Sequence, residues 1–204
     1  MSDSLAVPTN VDDSRRTLIA ITCGVGAIAG VATAVPFVES FAPSERAKAA
    51  GAPVEVDIGD LKPGELRTVE WRGQPVWIIR RTPEMVASLA KDEAQLADPE
   101  SKRNQDDLTP PYARNRDRSI KPDLFVAVGI CTHLGCSPNA RFTPGAQPSL
   151  PEDWPGGFLC PCHGSTFDLA GRVFKNKPAP DNLRVPPHMY LTATKLRIGE
   201  DQKA

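Results

Sequence analysis

Two short segments hold most of the cysteine and histidine in this sequence. Four of the five cysteines and two of the three histidines lie in Cys131-Thr-His133-Leu-Gly-Cys136 and Cys160-Pro-Cys162-His163-Gly-Ser165. We call residues 131–136 the first box and residues 160–165 the second box. Each box offers a thiolate and an imidazole close together in the chain. Two loops that face each other with these four side chains can enclose a metal centre.

The second cysteines of the two boxes, Cys136 and Cys162, are the remaining pair once the first cysteine and the histidine of each box are taken as ligands. In an oxidising compartment, two such thiols in adjacent loops would form a disulfide. That bridge would hold the two loops together.

Structural zinc is one alternative, because two cysteines and two histidines are a usual tetrahedral ligand set. A zinc site leaves Cys136, Cys162 and the Gly164-Ser165 pair without a role. A purely structural disulfide framework is another alternative, but it leaves both histidines unexplained. The spacing of the boxes also differs from the common zinc-finger spacings.

Short strands surround the boxes and are expected to position them. A buried-strand pattern at 125–130 ends directly at Cys131. The residues at 66–71 and 74–81 flank Arg72-Gly73 and predict a hairpin. The other predictions are a strand at 54–58, a short helix beginning at Pro83, a solvated loop or insertion over 98–123 and a closing strand pair within 189–198.

The composition agrees with a loop-rich β fold. Proline occurs 21 times, about twice its average usage, and ten of these prolines lie between Pro138 and Pro187, where a helix would be broken repeatedly. The formal net charge of −1 argues against a nucleic-acid partner.

The N-terminal fifth of the chain predicts a membrane anchor. Residues 18–38 form an uncharged run of 21 residues, which is enough for a helix to cross a bilayer. A buried core helix would need a polar stripe that this run lacks. Arg15-Arg16 directly before it is typical of twin-arginine signals, but the run exceeds the 7 to 15 residues usual in cleaved signals. An uncleaved signal-anchor satisfies both observations.

The charges around this run predict its orientation. Arg15 and Arg16 precede the apolar run and Glu39 is the first charge after it, so residues 1–17 are expected in the cytoplasm and everything after residue 38 outside. Residues 39–53 are expected to be a linker, either a weak helix or an extended tether. This linker is either a passive spacer or a hinge.

The two boxes closely resemble the cluster-binding motifs of Rieske iron–sulfur proteins. The resemblance implies a [2Fe–2S] cluster with Cys131 and Cys160 on one iron and His133 and His163 on the other. It also implies a Cys136–Cys162 disulfide. Because neutral imidazoles replace two thiolates, such a cluster carries less negative charge and accepts an electron more readily. The ring N–H groups couple electron uptake to proton uptake.

Nearly the whole chain resembles the Rieske subunits of bacterial cytochrome bc1 complexes. The similar features are the twin-arginine anchor, the linker, the segment WRGQPVWIIRR, both boxes and the segment NLRVPPHMYL. The implied fold is mainly β: one N-terminal transmembrane helix, then an antiparallel β-sandwich Rieske domain over 54–204 with a small cluster-binding subdomain at about 122–183. The implied location is the bacterial inner membrane, crossed once, with the C-terminal domain in the periplasm.

The resemblance also implies a function. Such a subunit takes an electron from ubiquinol at cytochrome b, coupled to a proton through a ligand histidine, and passes it to cytochrome c1 within a dimeric complex. His163 is the expected catalytic contact with quinol, and His133 lies beside it. Ser165 matches a serine that hydrogen-bonds a bridging sulfide, while Leu134 and Gly135 match an apolar tip that docks on cytochrome b.

The sequence departs from this family at two positions near the cluster. Phe167 stands where the family usually has a tyrosine that donates a hydrogen bond to a ligand sulfur, and Lys177 stands where a glycine often precedes Pro178-Ala-Pro180. Because phenylalanine cannot donate, the resemblance implies a lower reduction potential than in relatives with tyrosine. His188, outside both boxes, is expected to be a surface or packing residue.

Two other functions share some of these sequence features. A soluble Rieske ferredoxin or oxygenase component generally lacks the second cysteine of each box and needs no membrane anchor. The Rieske small subunit of a periplasmic oxidase, such as arsenite oxidase, shares the export signal and the cluster. It fits less well, because the linker and the segment VPPHMY resemble the quinol-oxidising family.

Overall fold

The computed structural model describes residues 12–103 and 108–202. The chain divides into two compact units, one extending to Lys48 and one from Ala49 onward. The helices are α1 (Asp13–Glu39), α2 (Glu45–Ala50) and α3 (Pro83–Ser88), with short 3₁₀ helices at Glu93–Gln95 and Pro111–Ala113. The strands are β1 (Val54–Asp57), β2 (Leu66–Trp71), β3 (Gln74–Arg80), β4 (Leu124–Val128), β5 (Asn139–Arg141), β6 (Gly157–Leu159), β7 (Thr166–Phe167), β8 (His188–Tyr190) and β9 (Lys195–Ile198).

Helix α1 contains the predicted apolar run and extends beyond it at both ends. Asp12 caps it, since its side chain accepts a hydrogen bond from the Ser14 N–H at 3.1 Å. The hydroxyls of Thr22 and Thr33 each donate to a carbonyl four residues earlier at 2.8 Å, so these polar groups are satisfied within the helix. Among the described residues, α1 is the one helix long and apolar enough to cross a membrane.

The predicted linker contains a helix. After α1 ends at Glu39, the chain bends and then forms α2, where the Glu45 carboxylate accepts a hydrogen bond from Lys48 Nζ at 2.7 Å. Of the two conformations that the sequence left open, the structure shows the helical one for these six residues.

Within its described residues, the C-terminal unit contains three antiparallel sheets of three strands each. Their orders are β1-β9-β8, β2-β3-β4 and β5-β6-β7. The predicted hairpin is confirmed: β2 and β3 pair up to Trp71↔Gln74, and the two turn residues, Arg72 and Gly73, have φ values of 53° and 69°. The predicted closing pair is also confirmed as β8 and β9.

The central sheet β2-β3-β4 has buried side chains on both faces. Val76 and Ile78 of β3 belong to the core shared with β1 and β9, whereas Trp77 and Ile79, on the opposite face, belong to the core that contains Cys131. All five residues of β4 are buried, which explains why its sequence is uniformly apolar rather than alternating. The predicted mainly β fold with an N-terminal apolar helix is therefore confirmed.

The prediction of a solvated loop over 98–123 is wrong for its buried polar residues. Arg118 is fully buried, and its guanidinium donates to the carbonyls of Ala170, Gly171 and Leu183 and to the Thr109 hydroxyl, at 2.7 to 3.2 Å. Burial lowers the pKa of Arg118 to about 10, so the group remains charged at neutral pH. A count of charges cannot distinguish a solvated arginine from one that bonds to buried carbonyls.

The burial of the Arg118 guanidinium predicts that replacing Arg118 lowers stability much more than replacing its exposed neighbour Arg116. Arg118→Leu should destabilise the C-terminal unit by about 3 kcal/mol, because it leaves several buried carbonyls without a donor. The matched control Arg116→Leu removes an exposed arginine paired with Asp117 and should change stability by less than about 0.5 kcal/mol. Urea unfolding of the full chain in detergent, followed by tryptophan fluorescence, measures both. Equal losses of stability in the two variants would contradict the buried, bonded role of Arg118.

Candidate metal centre

The two boxes fold into loops of the same design. In the first box, the Cys131 N–H donates to the Cys136 carbonyl at 2.8 Å, and the Gly135 N–H donates back to the Cys131 carbonyl at 3.1 Å. The second box repeats both bonds at the same relative positions from Cys160, at 2.8 and 3.0 Å. Each box is thus a tight loop that closes on its own backbone.

A glycine in each box makes this loop possible. Gly135 has φ of 82° and Gly164 has φ of 73°, in the left-handed region that disfavours side chains. Neither position is crowded, since a Cβ there would meet nothing within 4 Å. Backbone conformation, rather than space, therefore requires glycine. Gly135 was predicted as part of the docking tip, and the structure gives it a backbone role as well.

The first cysteines of the two boxes are buried, free thiols. Cys131 and Cys160 are each 2% exposed, and the two lie close enough to interact. Burial raises the pKa of the Cys131 thiol, as does the Cys160 thiol, while the His133 N–H and the Ser165 hydroxyl oppose this shift.

The two box histidines lie beside each other. The ring centroids of His133 and His163 are 4.8 Å apart and the rings are nearly perpendicular. His133 is half-buried and His163 is exposed. The loops therefore place two thiols on the inside and two imidazoles towards the surface, with His163 more accessible from outside.

The remaining two cysteines form the predicted disulfide. Cys136 and Cys162 are bonded, with their Cα atoms 6.7 Å apart. The Cys160 Sγ lies within 4.8 Å of both disulfide sulfurs, so the bridge is directly beside the free thiols. The four cysteines of the boxes thus divide into one bonded pair and one free pair.

A third loop, containing Pro178-Ala-Pro180, is tied to both boxes. The Ser165 hydroxyl, which is fully buried, accepts a hydrogen bond from the Ala179 N–H at 3.0 Å. The Thr132 hydroxyl donates to the Asp181 carbonyl at 2.6 Å. Sequence reasoning gave Thr132 no role, and its only signal was a hydroxyl between two expected ligands.

A buried ion pair supports the chain just after the second box. Arg172 Nε donates to Asp168 Oδ2 at 2.7 Å, and both side chains are fully buried. Asp168 Oδ1 also accepts from the backbone N–H groups of Ala170 and Arg172. Sequence reasoning missed this pair, although Asp and Arg spaced four residues apart inside an apolar segment were a usable signal.

Asn182 links the third loop to the 98–123 segment. Its Oδ1 accepts from the Val173 N–H at 2.9 Å, and its Nδ2 donates to the Asp98 carbonyl and to the Ser101 hydroxyl at 2.9 and 3.0 Å. Because Asn182 is only 3% exposed, these bonds are shielded from water. Sequence reasoning assigned Asn182 no role.

The other residues singled out in the sequence lie in distinct environments. Leu134 is 72% exposed at the tip of the first box, Phe167 is fully buried in the core that includes both free thiols, and Lys177 is exposed. His188 is buried, as a packing residue: its Nδ1 is 2.8 Å from the Pro186 carbonyl, and burial lowers its pKa.

The thiols and imidazoles of the two boxes fit an iron–sulfur cluster better than a disulfide framework. Cys131 and Cys160 remain unbonded although the neighbouring cysteine pair is oxidised. Thiolate sulfur and imidazole nitrogen are the ligands of a [2Fe–2S] centre of mixed type. The two boxes supply two of each on facing loops, and the backbone at Cys131 is fixed by the hydrogen bonds described above.

Comparison with known proteins identifies the class. Residues 53–187 match the Rieske [2Fe-2S] domain, a range that includes both boxes and the Pro178-Ala-Pro180 loop. The chain therefore belongs to the Rieske [2Fe–2S] family.

The relatives within that family are more specific. The chain is 56% identical to the ubiquinol-cytochrome c reductase iron-sulfur subunit of Allochromatium vinosum, over 92% of this chain and 89% of the relative. It is 39% identical to the subunit of the same name from Blastochloris viridis, over 96% and 98% of the two chains. A solved chain of a hyperthermophilic respiratory complex III aligns with 87% of this chain and 98% of its own at 28% identity, with a TM-score of 0.46.

The bonded cysteine pair predicts a selective alkylation pattern. In the native oxidised protein, Cys136 and Cys162 should resist alkylation until a reductant is added, which mass spectrometry of the digested chain can check. Replacing both by serine should lower stability by about 2–4 kcal/mol, the range usual for such bridges. Cys23→Ser, outside the boxes, is the control. Alkylation of both thiols in the oxidised protein would contradict the bridge.

Proposed function

We propose that this chain is the electron-transfer subunit of a membrane-bound quinol–cytochrome c oxidoreductase. One observation carries the proposal: two loops joined by a disulfide place two buried free thiols beside two imidazoles, one of which is exposed. The 56% identical relative named as a ubiquinol-cytochrome c reductase subunit supports the same conclusion. The Cys136–Cys162 bridge and helix α1 disfavour a soluble ferredoxin.

The cluster ligands in this proposal are the first cysteine and the histidine of each box. Cys131 and Cys160 hold one iron, and His133 and His163 hold the other. When bound, the cluster accepts and releases one electron at a time. The two thiols are buried, so water is excluded from the inner side of the cluster site. The neutral imidazoles add no negative charge to the cluster. The exposed His163 ring can exchange a proton at the surface.

His163 is the proposed contact with quinol. Its ring is exposed, so a quinol hydroxyl can approach it directly, whereas His133 is half-buried beside it. The His163 ring nitrogen that faces away from the iron carries a proton in the neutral imidazole. After releasing that proton, it would accept the hydrogen bond of the quinol hydroxyl and then hold the quinol proton as the quinol loses an electron. An imidazole suits this role because one ring nitrogen can bind iron while the other exchanges a proton.

Leu134 is the proposed contact with the quinol-oxidising partner, a cytochrome b. A leucine 72% exposed beside a cluster loop is an apolar surface that a partner can cover. After oxidising quinol, the C-terminal unit delivers its electron to a cytochrome c1, within a dimeric complex. The segment that contains α2 gives the unit the freedom to move between the two partners.

The proposed orientation follows from the charges around α1. Arg15 and Arg16 precede the apolar part of the helix and Glu39 ends it. By the positive-inside rule, the N-terminus lies in the cytoplasm and the C-terminal unit lies in the periplasm of a bacterial inner membrane. An oxidising periplasm is the compartment in which the Cys136–Cys162 bridge persists.

The proposed ligands can be tested by their effect on iron content. Changing Cys131, His133, Cys160 or His163 to Ala should abolish the cluster, because each iron loses a ligand that no neighbouring side chain replaces. Iron and acid-labile sulfide per chain are the measurements. Cys23→Ala and His188→Ala are the matched controls and should retain both. A ligand variant with a full complement of iron and sulfide would refute the assignment.

The proposed docking role of Leu134 can be separated from cluster assembly. Leu134→Asp should reduce quinol–cytochrome c reductase activity in membranes at least tenfold, with unchanged iron content, because a carboxylate would be buried against the partner. Ile120→Asp is the control, since Ile120 is also an exposed apolar residue, at 41%, but lies outside both boxes. Full activity of the Leu134 variant would argue against docking at this tip.

A further inference from the structure

A cavity of about 610 Å³ lies beside α3 in the C-terminal unit. None of its lining residues belongs to either box. Its volume falls in the range of small-ligand pockets, about 300–1,000 Å³. Its apolar lining consists of Met85, Phe142, Pro144, Pro155 and Leu169. The cavity therefore offers an apolar wall to a small ligand, outside both boxes.

The charged groups around this cavity are mostly acidic. Three carboxylates line it, those of Glu84, Asp92 and Asp153, against one ammonium group, that of Lys91. The whole chain has a formal net charge of only −1, so this excess of carboxylates is local. A cavity with this charge and an apolar wall favours a ligand that is both cationic and apolar.

Asp92 is the one buried carboxylate of this lining, since Glu84 and Asp153 are exposed. It is only 6% exposed and, within the described residues, no hydrogen bond or ion pair to its carboxylate is present, while the carboxylate oxygens retain some access to solvent. The neighbouring buried cation, Arg172, is occupied: it donates to Asp168 at 2.7 Å and to the Leu89 carbonyl at 2.8 Å. Because this carboxylate has no protein donor and little access to water, a cationic ligand would stabilise its charged form.

The titration of Asp92 agrees with this geometry. Burial raises the pKa of Asp92 to about 6, with contributions from Asp168 and Asp153, while Arg172 and Lys91 oppose the shift. Because the folded-state pKa is raised, the stability that protonated Asp92 provides is lost as the pH rises from about 4 through about 6. At neutral pH, most molecules contain the ionised, unpaired carboxylate.

A metal ion is not the occupant that these carboxylates fit. Among the described residues, the one group of three possible ligands within metal-binding distance is Cys136, Cys160 and Cys162, which belongs to the boxes. The oxygens of Glu84, Asp92 and Asp153 do not converge in this way. A cation with an extended stem, in contrast, can reach a single carboxylate while its stem covers the apolar wall.

We propose that this cavity binds an organic cation whose ammonium or guanidinium group pairs with Asp92 and whose apolar stem packs against Met85 and Phe142. Two sources share this chemistry: a free alkylamine, or the lysine or arginine side chain of a subunit that contacts this face in the assembled complex. The acidic lining excludes organic anions from the same cavity.

The test is calorimetric titration of the full chain, with its cluster, in detergent, using n-butylammonium as the probe. Saturable binding is expected at pH 7.5, and Asp92→Asn should weaken it at least tenfold. Asn has nearly the same shape as Asp and removes an unpaired buried charge, so this variant should fold. Glu93→Gln, the adjacent exposed carboxylate that does not line this cavity, is the matched control and should bind within twofold of the unmodified chain.

Three further readouts separate recognition of a cation from nonspecific uptake. The neutral n-butanol and the anionic pentanoate should not bind, and Lys91→Gln should tighten n-butylammonium binding by removing repulsion. Affinity for the probe should rise several-fold from pH 5 to pH 7.5 in the unmodified chain, as Asp92 ionises, and should change less in Asp92→Asn.

The assembled complex distinguishes the two sources. If a partner's side chain occupies the cavity, n-butylammonium binds the isolated chain but not the purified complex. If the ligand is a free amine, the probe binds both. The absence of saturable binding to the isolated chain would overturn the proposal, and so would an Asp92→Asn variant that binds as tightly as the unmodified chain.

Discussion

The site depends on one constraint: two loops that are distant in sequence must face each other while two of their four cysteines stay unbonded. The Cys136–Cys162 bridge joins the loops on one side, and Cys131 and Cys160 remain free beside it. If the pairing were different, the free thiols would be consumed or moved apart. The rest of the C-terminal unit acts to keep this one arrangement.

The core and the buried polar groups maintain that arrangement. The central sheet delivers Cys131 at the end of β4, and its Trp77 ring stacks on Phe158 of β6 with centroids 4.9 Å apart. Arg118 bonds to the carbonyls of Ala170 and Leu183, which lie before and after the third loop in the chain. A segment that the sequence presents as solvated thus supplies a buried connection to the loops that carry the site.

The sequence predicted the elements whose signals are local. Alternation, turn residues and an uncharged run are properties of neighbouring residues, so the Arg72-Gly73 hairpin, the β8–β9 pair and helix α1 were correctly anticipated. The cysteines and histidines were recognised because they are concentrated in two motifs. Their disulfide pairing is confirmed, whereas the metal-ligand assignment stays a prediction.

Long-range polar contacts were not predictable from the sequence. Arg118 bonds to residues 52 to 65 positions away, and Asn182 to residues more than 80 positions away. Asp92 differs, since it is largely buried and no protein group within the described residues donates to its carboxylate, which no spacing rule reveals. Whether a charged residue is solvated or bonded inside the protein depends on its burial. Burial in turn depends on how the whole C-terminal unit packs.

The central claim is that the four ligands hold a cluster that works at a quinol site. Low-temperature electron paramagnetic resonance of washed membranes, reduced with ascorbate, tests it directly. A rhombic signal that shifts when a quinone-site inhibitor is added, and that disappears in membranes containing the His163→Ala variant, is the result expected. A missing signal, or one that persists in the variant or ignores the inhibitor, would contradict the proposed function.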